Sequence, residues 1–305
     1  MAQGALCLRP MFLPSLRLRS SALVSLALLA ALGAACTHRP SATTGRGGAA
    51  ARKNTPGAPS ERTAAAVSSS AVAPPPVVAS SPAVTVTFPT DDSVTISASL
   101  RVGRPGNTPV VLVHQLGSAR AEWEPLVAKL AAAGSTTLAI DLRGHGESTA
   151  GAGTNTRTYA YDSFSDADWR ATQKDVQAAI AFLASREDLW PGHVVLVGSS
   201  IGGTACIAAA AEDPRVVRLV VLSPGRAYHG FDAILPASRL GGRDVLVLHA
   251  ADEAPSTETA SVLDRIVTNS TVRAVPGSAH GVAMFQDDPS QLDAVAEFID
   301  GAQPQ

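Results

Sequence analysis

Cysteine is rare in this sequence and occurs only as Cys7, Cys36 and Cys206 among 305 residues. Three scattered cysteines cannot build a disulfide framework or a cysteine zinc site. Charged residues are also few, at 16% of the chain, and the formal net charge of -2 provides no basic field to hold nucleic acid phosphates. The sequence therefore excludes a disulfide-stapled mini-domain, and we expect no nucleic acid partner.

The first 35 residues have the pattern of an export signal. Three arginines precede an apolar run at 21–35 that is too short to span a bilayer comfortably. Small residues end this run directly before Cys36, and the segment resembles the lipobox of bacterial lipoproteins, in which the cysteine becomes the lipidated first residue. Gly33 stands where that motif usually has leucine, so cleavage by an ordinary signal peptidase is the alternative. We expect an exported protein that a lipid on Cys36 anchors to the membrane.

Residues 36–82 have the composition of a disordered tether. The stretch is rich in Ala, Ser, Thr, Pro and Gly, with PPP at 74–76, and it cannot bury enough apolar area to offset the entropy of ordering it. Its five basic residues oppose one acid, Glu61, and plain linker is favoured over contact with an anionic surface. The predicted organisation is a signal peptide at 1–35, this tether, and one globular domain at 83–302.

From residue 83 onward, short β-branched runs alternate with longer amphipathic segments, which is typical of a mostly parallel sheet covered by helices. Two alternating runs, at 83–88 and 93–102, predict half-exposed strands that pair like a hairpin. Continuous apolar runs predict six buried strands, at 110–114, 136–141, 193–198, 217–223, 244–250 and 271–276. Helices are predicted near 119–133, 165–186, 201–211, 257–267 and 289–299. The sequence thus predicts an α/β domain with eight strands and about six helices.

The segment 198–202 reads GSSIG and matches GxSxG where a predicted buried strand meets a predicted helix. A serine at such a tight turn has a strained backbone and an exposed hydroxyl, and the flanking glycines leave room for the bend and for the helix. Ser200 is therefore the candidate nucleophile. The backbone N–H of Ile201, at the helix N-terminus, is a candidate oxyanion donor. We expect the neighbouring Ser199 to face the surroundings of the strand.

A serine hydroxyl is a weak nucleophile that needs a base, and the base needs an acid to orient it. His280 is the candidate base, because it alone among the histidines follows the last predicted strand. Asp252 follows the strand at 244–250 and is the candidate acid. Its rival is Glu253, which ranks below Asp252 because a shift of one residue points the carboxylate elsewhere.

Five signals in chain order resemble the α/β-hydrolase family, namely HQLGS at 114–118, DLRGHGES at 141–148, GSSIG at 198–202, Asp252 and GSAHG at 277–281. The resemblance implies an α/β-hydrolase fold over 83–302, a mostly parallel eight-stranded sheet with helices on both faces. It also implies that the N–H of Leu116 is the second oxyanion donor, and that Asp141 and Arg143 order a loop. Gln115 stands where the family usually has glycine, and its side chain either crowds the turn or adds a polar group to the site.

Two residues near these motifs are expected to be structural. His145 is read as a loop histidine without a catalytic role. Cys206 lies six residues after Ser200 on the predicted helix, between apolar neighbours, and is expected to be buried and inert.

The cover of the site indicates the substrate class. The segment at 224–242 is too short for a large lid, so we expect the polar loop at 149–165 to flank the substrate. This arrangement resembles the dienelactone-hydrolase-like and small esterase branches of the family. It implies a serine hydrolase that cleaves small carboxylic esters or thioesters through an acyl-enzyme, with no metal and no cofactor.

Two other functions stay open at this point. An exopeptidase of the same fold would need a carboxylate cluster for the substrate amine, and Asp162, Asp166 and Asp168 are candidate members. A hydrolase-like lipoprotein that binds envelope material without turnover is the alternative from a different class. A complete set of nucleophile, base and acid disfavours the binding protein.

Overall fold

The structure is a computed structural model that describes residues 81–301. The predicted signal peptide, Cys36 and all but the last two residues of the predicted tether lie outside this range. No helix within the described range is long and apolar enough to cross a membrane.

Ten strands are present in the described residues, eight in one sheet and two in a small hairpin. They are β1 (Val84–Pro89), β2 (Thr95–Arg101), β3 (Val110–Val113), β4 (Thr137–Ile140), β5 (Val194–Ser199), β6 (Val216–Leu222), β7 (Ala227–Tyr228), β8 (Phe231–Asp232), β9 (Asp244–Ala250) and β10 (Asn269–Val275). The main sheet has the order β1-β2-β4-β3-β5-β6-β9-β10. Only β2 and its two neighbours pair antiparallel, and every other pair is parallel.

Seven α-helices connect or follow these strands. They are α1 (Glu124–Ala133), α2 (Asp166–Ala184), α3 (Ile201–Glu212), α4 (Ile234–Ala237), α5 (Ala254–Ile266), α6 (Met284–Asp287) and α7 (Ser290–Asp300). Short 3-10 turns lie at Arg120–Trp123, Tyr161–Ser163 and Gly281–Ala283. Ser165 begins α2 with a capping box to Asp168, as the sequence predicts, because each side chain accepts a backbone N–H of the other residue.

Helices cover both faces of the sheet. In β3, Val111 and Val113 pack with residues of α2 and α3, whereas Val110 and Leu112 pack with residues of α1 and α7. Successive side chains of a strand point to opposite faces, so continuous apolar sequence is what a strand buried on both sides requires. The predicted α/β fold, with a mostly parallel eight-stranded sheet and helices on both faces, is confirmed.

The prediction of six buried strands is wrong for the last of them. Among the seven residues of β10, only Val275 is buried. The strand lies at the edge of the sheet beside β9, and its outer flank has no covering strand. Because β10 is an edge strand, Ser270 and Val272 are only half-buried, and their neighbours in the strand are exposed.

The segment at 224–242 is short, as expected, and holds no large lid. It contains the hairpin of β7 and β8 followed by α4. The turn of this hairpin is His229-Gly230, and both residues have positive φ, at 46° and 70°. Such a turn matches the twist of a two-residue hairpin.

The strand order reverses at β3, which lies between β4 and β5. In open α/β sheets, ligands bind beyond the carboxyl ends of the strands at such a switch point. The loop after β3 begins at His114, and the turn after β5 contains Ser200. The fold therefore brings these two segments together at one end of the sheet.

The loop after β4 is tied down by buried charges, as the family resemblance implies. The Arg143 side chain is 2% exposed, and its Nε donates to Oδ1 of Asp175 at 2.8 Å while Nη1 donates to Oδ2 of Asp92 at 2.7 Å. Asp141 accepts the backbone N–H groups of Arg120 and Glu147 at 2.7 and 2.9 Å. These contacts fix the loop that borders the functional end of the sheet.

We expect Arg143→Met to lower the free energy of unfolding by about 3–5 kcal/mol, because Asp175 would be left as an unpaired carboxylate in the interior. Urea unfolding at neutral pH measures the loss. Arg186→Met is the matched control, since the side chains of Arg186 and its partner Asp188 are 39% and 62% exposed, and a surface ion pair contributes about 0–1 kcal/mol. Equal stability of the two variants would contradict a structural role for the Arg143 cluster.

Candidate active site

Ser200 occupies the turn between β5 and α3, and its backbone is strained. Its φ of 52° and ψ of -118° lie in a region that residues with side chains rarely adopt. The backbone N–H of Ser200 donates to the carbonyl of Leu222 at 2.8 Å, which holds the turn against β6. The sequence prediction of a strand-to-helix elbow at Ser200 is therefore confirmed as a backbone geometry.

The two glycines of GSSIG are required by close backbone approach. A Cβ at Gly202 would overlap the carbonyl oxygens of Val113 and His114, and a Cβ at Gly198 would overlap the backbone of Gly202. The first turn of α3 thus packs directly on the end of β3. This close packing brings the residue after Ser200 beside the loop that follows His114.

Ser200, Leu116 and Ile201 line one small cavity of about 90 Å³. Within residues 81–301, neither the backbone N–H of Leu116 nor that of Ile201 donates to another group. Unused N–H groups beside a nucleophile are what an oxyanion requires. The structure thus brings together the nucleophile and both oxyanion donors that the sequence proposed.

His114 fixes the peptide unit that carries the Leu116 N–H. The backbone N–H of Leu142 donates to Nε2 of His114 at 3.0 Å, so Nδ1 carries the proton and donates to the carbonyl oxygen of Gln115 at 2.7 Å. Burial lowers the pKa of His114 to about 4, which keeps the ring neutral at pH 7. Because C=O and N–H point in opposite directions in a trans peptide, the Leu116 N–H faces away from His114.

His280 lies against Glu253. Its Nδ1 is 2.5 Å from Oε1 of Glu253, and the His280 side chain is 44% exposed. A carboxylate at Nδ1 places the ring proton there and leaves Nε2 as an acceptor, which is the state of a general base. Within the described residues Nε2 has no hydrogen-bond partner, so His280 and the hydroxyl of Ser200 are not hydrogen-bonded to each other in this structure.

The choice of Asp252 over Glu253 as the partner of His280 is corrected by this contact. The backbone N–H of Asp252 donates to the carbonyl of Gly277 at 2.9 Å, and the residue itself is exposed, with no hydrogen bond from its carboxylate within the described range. Glu253 begins α5 as its N-cap, and its carboxylate turns back to the imidazole. Asp252 and Glu253 do point in different directions, as expected, but the carboxylate that contacts His280 is that of Glu253.

The loop of His280 is seated on the residues next to the nucleophile. The backbone N–H of Gly281 donates to Oγ of Ser223 at 2.8 Å, and a Cβ at Gly281 would overlap the side chains of Ser199 and Gln115. Ser223 directly follows β6 and has a positive φ of 46°. Sequence reasoning missed Ser223, although its place directly after a buried strand at the functional end of the sheet was a usable signal.

Gln115 adds a polar group to the site. Its Oε1 accepts the hydroxyl of Ser199 at 3.1 Å, in the space that Gly281 leaves open. Its backbone N–H donates to Oε1 of Glu122 at 3.1 Å. Gln115 therefore joins the loop after β3 to the elbow and to the loop of His280. Ser199 is buried, and its hydroxyl is the hydrogen-bond partner of the Gln115 side chain.

Glu122 is a second residue that sequence reasoning missed. Burial raises the pKa of its carboxyl, against the opposing effects of a hydrogen bond from Ser118, the N–H of Gln115 and the nearby charge of His280. Its Oε2 is buried without a partner in the described residues. Glu122 thus holds the turn at Gln115 beside the candidate active site.

Aromatic side chains close the side of the site that faces loop 149–165. Tyr161 stacks on His145 with ring centroids 4.3 Å apart, and its hydroxyl lies 3.5 Å from the position of a Cβ at Gly117. Trp169 meets Tyr228 edge-on at 5.1 Å, and Tyr228 lines the cavity at Ser200. Loop 149–165, which contains Tyr161, therefore flanks the loop after β3 that carries the Leu116 N–H, as the sequence suggested.

Cys206 is buried, as predicted, and His145 lies in a loop, as predicted, where it is also buried. Nδ1 of His145 lies 3.0 Å from the carbonyl oxygen of Arg143, while its Nε2 is buried without a partner in the described residues. Cys206 is 0% exposed, and burial raises the pKa of its thiol. Within residues 81–301 no group of three or more His, Cys, Asp or Glu residues is arranged to hold a metal ion.

The sheet order and the elbow define an α/β-hydrolase fold. The family model described as alpha/beta hydrolase fold matches residues 108–241. An esterase of Pyrococcus furiosus shares this fold, with a TM-score of 0.59 and 15% identity over 73% of this chain and 92% of its own. A serine hydrolase of Cycloclasticus zankles is similar, with a TM-score of 0.58 and 16% identity over 72% of this chain and 99% of its own.

A curated relative is 35% identical over 124 residues, namely the 2-(acetamidomethylene)succinate hydrolase of Mesorhizobium japonicum. The match covers 40% of this chain and 38% of that relative. Over residues 108–241 the chain is thus similar to the α/β hydrolase family, and the match with the curated relative spans less than half of that relative's length.

Proposed function

We propose that the protein is a serine hydrolase that cleaves small carboxylic esters or thioesters. The observation that carries this proposal is the strained Ser200 elbow, which shares its cavity with two unused N–H groups. Strain of this kind persists only where the surrounding structure imposes it, and it raises the hydroxyl above the sheet end. The esterase and hydrolase neighbours add support at the level of fold.

In the proposed reaction, Ser200 attacks the ester carbonyl while Nε2 of His280 takes its proton. The N–H groups of Leu116 and Ile201 stabilise the oxyanion, and Glu253 stabilises the imidazolium that forms. His280 then gives the proton to the leaving alcohol or thiol, which leaves an acyl group on Ser200. Water repeats the sequence and releases the acid.

The exopeptidase alternative loses support from the contacts of its carboxylates. Asp168 forms the capping box of α2 with Ser165, and its Oδ1 lies 2.8 Å from Nη1 of Arg157. Oδ1 of Asp166 lies 3.6 Å from Nδ1 of His229. A carboxylate that already satisfies a helix cap and an arginine is a poor receptor for a substrate amine. We therefore favour esters and thioesters, of the kind expected for the dienelactone-hydrolase-like and small esterase branches.

Covalent labelling separates this enzyme from a hydrolase-like binding protein. We expect a fluorophosphonate to label the wild-type protein once, on the peptide that contains Ser200, and the purified protein to hydrolyse p-nitrophenyl acetate. Mass spectrometry of the labelled peptide identifies the residue. Stoichiometric binding of envelope material without labelling or turnover would favour the binding protein.

Export and lipid attachment at Cys36 remain part of the proposal. We expect Cys36→Ser to release the protein from membranes or to block its maturation, because attached acyl chains supply the membrane affinity. A chain that starts at Ala83 is expected to be soluble and active, since every residue assigned to chemistry follows it. Cell fractionation, with mass measurement of the mature N-terminus, tests both. Wild-type protein found wholly in the soluble exported fraction, with unmodified Cys36, would reject lipidation.

A further inference from the structure

A second cavity, of about 250 Å³, adjoins the cavity at Ser200. Gly225, Arg226 and Ala227 form one wall, and α5 forms the other through Pro255, Glu258, Thr259 and Val262. Gly225 and Ala227 also line the cavity at Ser200. The two cavities therefore share a wall that is a single backbone segment.

The cavity at Ser200 is small and lies on the acyl side of an ester. Its volume of about 90 Å³ is well below the roughly 300–1,000 Å³ of a typical small-molecule pocket. The leaving alcohol has to receive its proton from His280, and His280 does not line this cavity. The cavity therefore takes the acyl group, and an acyl chain of more than a few atoms has to continue past it.

The shared wall is open at Gly225. A Cβ at this position would meet no atom within 4 Å, and the φ of Gly225 is not positive, so a side chain is tolerated there without backbone strain. Because Gly225 lines both cavities, a larger side chain at this position would narrow the space between them.

Two charged groups without partners face the second cavity. Arg226 and Glu258 are exposed, and neither side chain has a hydrogen bond or ion pair within residues 81–301. Arg226 stands in the chain between the two residues that both cavities share, whereas Glu258 belongs to the far wall on α5. Arg226 is the one basic residue among those that line the second cavity, and a guanidinium binds a carboxylate with two parallel hydrogen bonds.

We propose that the second cavity is a substrate subsite, in which Arg226 binds a carboxylate at the distal end of the acyl group. The preferred substrates are then half-esters of short dicarboxylic acids, attacked at the esterified end. The proposal rests on the serine hydrolase function and narrows its substrate class.

Three esters of p-nitrophenol test the subsite, namely the acetate, the hexanoate and the half-ester of adipic acid. The last two have acyl chains of equal carbon number and differ in the terminal carboxylate. We expect Gly225→Val to lower kcat/KM for both long esters at least about tenfold more than for the acetate, whose short acyl group does not extend beyond the cavity at Ser200. We expect Arg226→Gln to lower kcat/KM about tenfold for the adipate alone, mainly through a higher KM.

Two further variants serve as controls. Arg239→Gln removes an exposed arginine of the same segment that lines neither cavity, and we expect no change with any of the three esters. Glu258→Gln removes the repelling carboxylate, so we expect the adipate to react faster while the hexanoate is unaffected. Circular dichroism of each variant verifies folding.

The outcomes distinguish the subsite from the function it rests on. Hydrolysis of the acetate that persists in Ser200→Ala would reject the serine hydrolase itself. If the acetate depends on Ser200 but Gly225→Val leaves the three esters in their wild-type ratios, the second cavity is not a subsite. If Arg226→Gln affects hexanoate and adipate equally, or neither, Arg226 does not recognise a carboxylate and the proposal is overturned.

Discussion

Replacing Ser200 with alanine is expected to lower kcat for a small ester by about 10⁴ to 10⁶ while the substrate still binds. The nucleophile, the base and the acid act together, so loss of the nucleophile leaves only the rate enhancement that comes from the oxyanion hole and from substrate binding. The fold is expected to persist, because the hydroxyl of Ser200 makes no hydrogen bond within the described residues. Steady-state kinetics with p-nitrophenyl acetate, together with thermal unfolding, measures both effects.

Ser199→Ala is the matched control for this experiment. It removes a hydroxyl from the adjacent residue, whose partner is Oε1 of Gln115. Loss of a buried hydrogen bond costs about 1–3 kcal/mol of stability, but the nucleophile is retained, so we expect activity within about tenfold of wild type. Near-normal hydrolysis by a folded Ser200→Ala protein would show that the nucleophile lies elsewhere.

Replacing Glu253 with glutamine is expected to lower kcat by about 10² to 10⁴. The amide keeps the shape of the side chain but can no longer stabilise the imidazolium, and its NH₂ group favours the wrong tautomer of His280. Asp252→Asn is the matched control at the neighbouring position, and we expect it to retain activity within about threefold because its carboxylate is exposed and unpaired in the described residues.

Kinetics of both variants, measured from pH 5 to 9, separate the two carboxylates. Loss of the Glu253 charge is expected to change the pH profile of kcat/KM, which reports the free His280, whereas Asp252→Asn is expected to keep the wild-type profile. The opposite pattern, an active Glu253→Gln and an inactive Asp252→Asn, would restore Asp252 as the orienting acid.

Local sequence patterns were enough to predict the strands of the main sheet, the larger helices and the strand-to-helix turn at Ser200. These features are local, because side-chain periodicity, helix caps and glycines at a tight bend act over a few residues. The sequence also predicted that the segments after β3, β5, β9 and β10 meet, since the carboxyl ends of parallel strands share one edge of the sheet. The half-exposed β10 shows the limit of this reasoning, because an apolar run does not reveal whether a strand is central or at an edge.

Which carboxylate faces His280 depends on how two distant parts of the chain meet. The N–H of Asp252 is bound to the carbonyl of Gly277 on the neighbouring loop, Asp252 is exposed, and the carboxylate of Glu253 contacts the imidazole. Ser223 and Gln115 gained their roles in the same way, through contacts with Gly281 and Ser199 that are distant in the chain. The direction of a side chain at a turn depends on the hydrogen bonds that the turn makes. When the partner is distant in the chain, the local sequence does not reveal it.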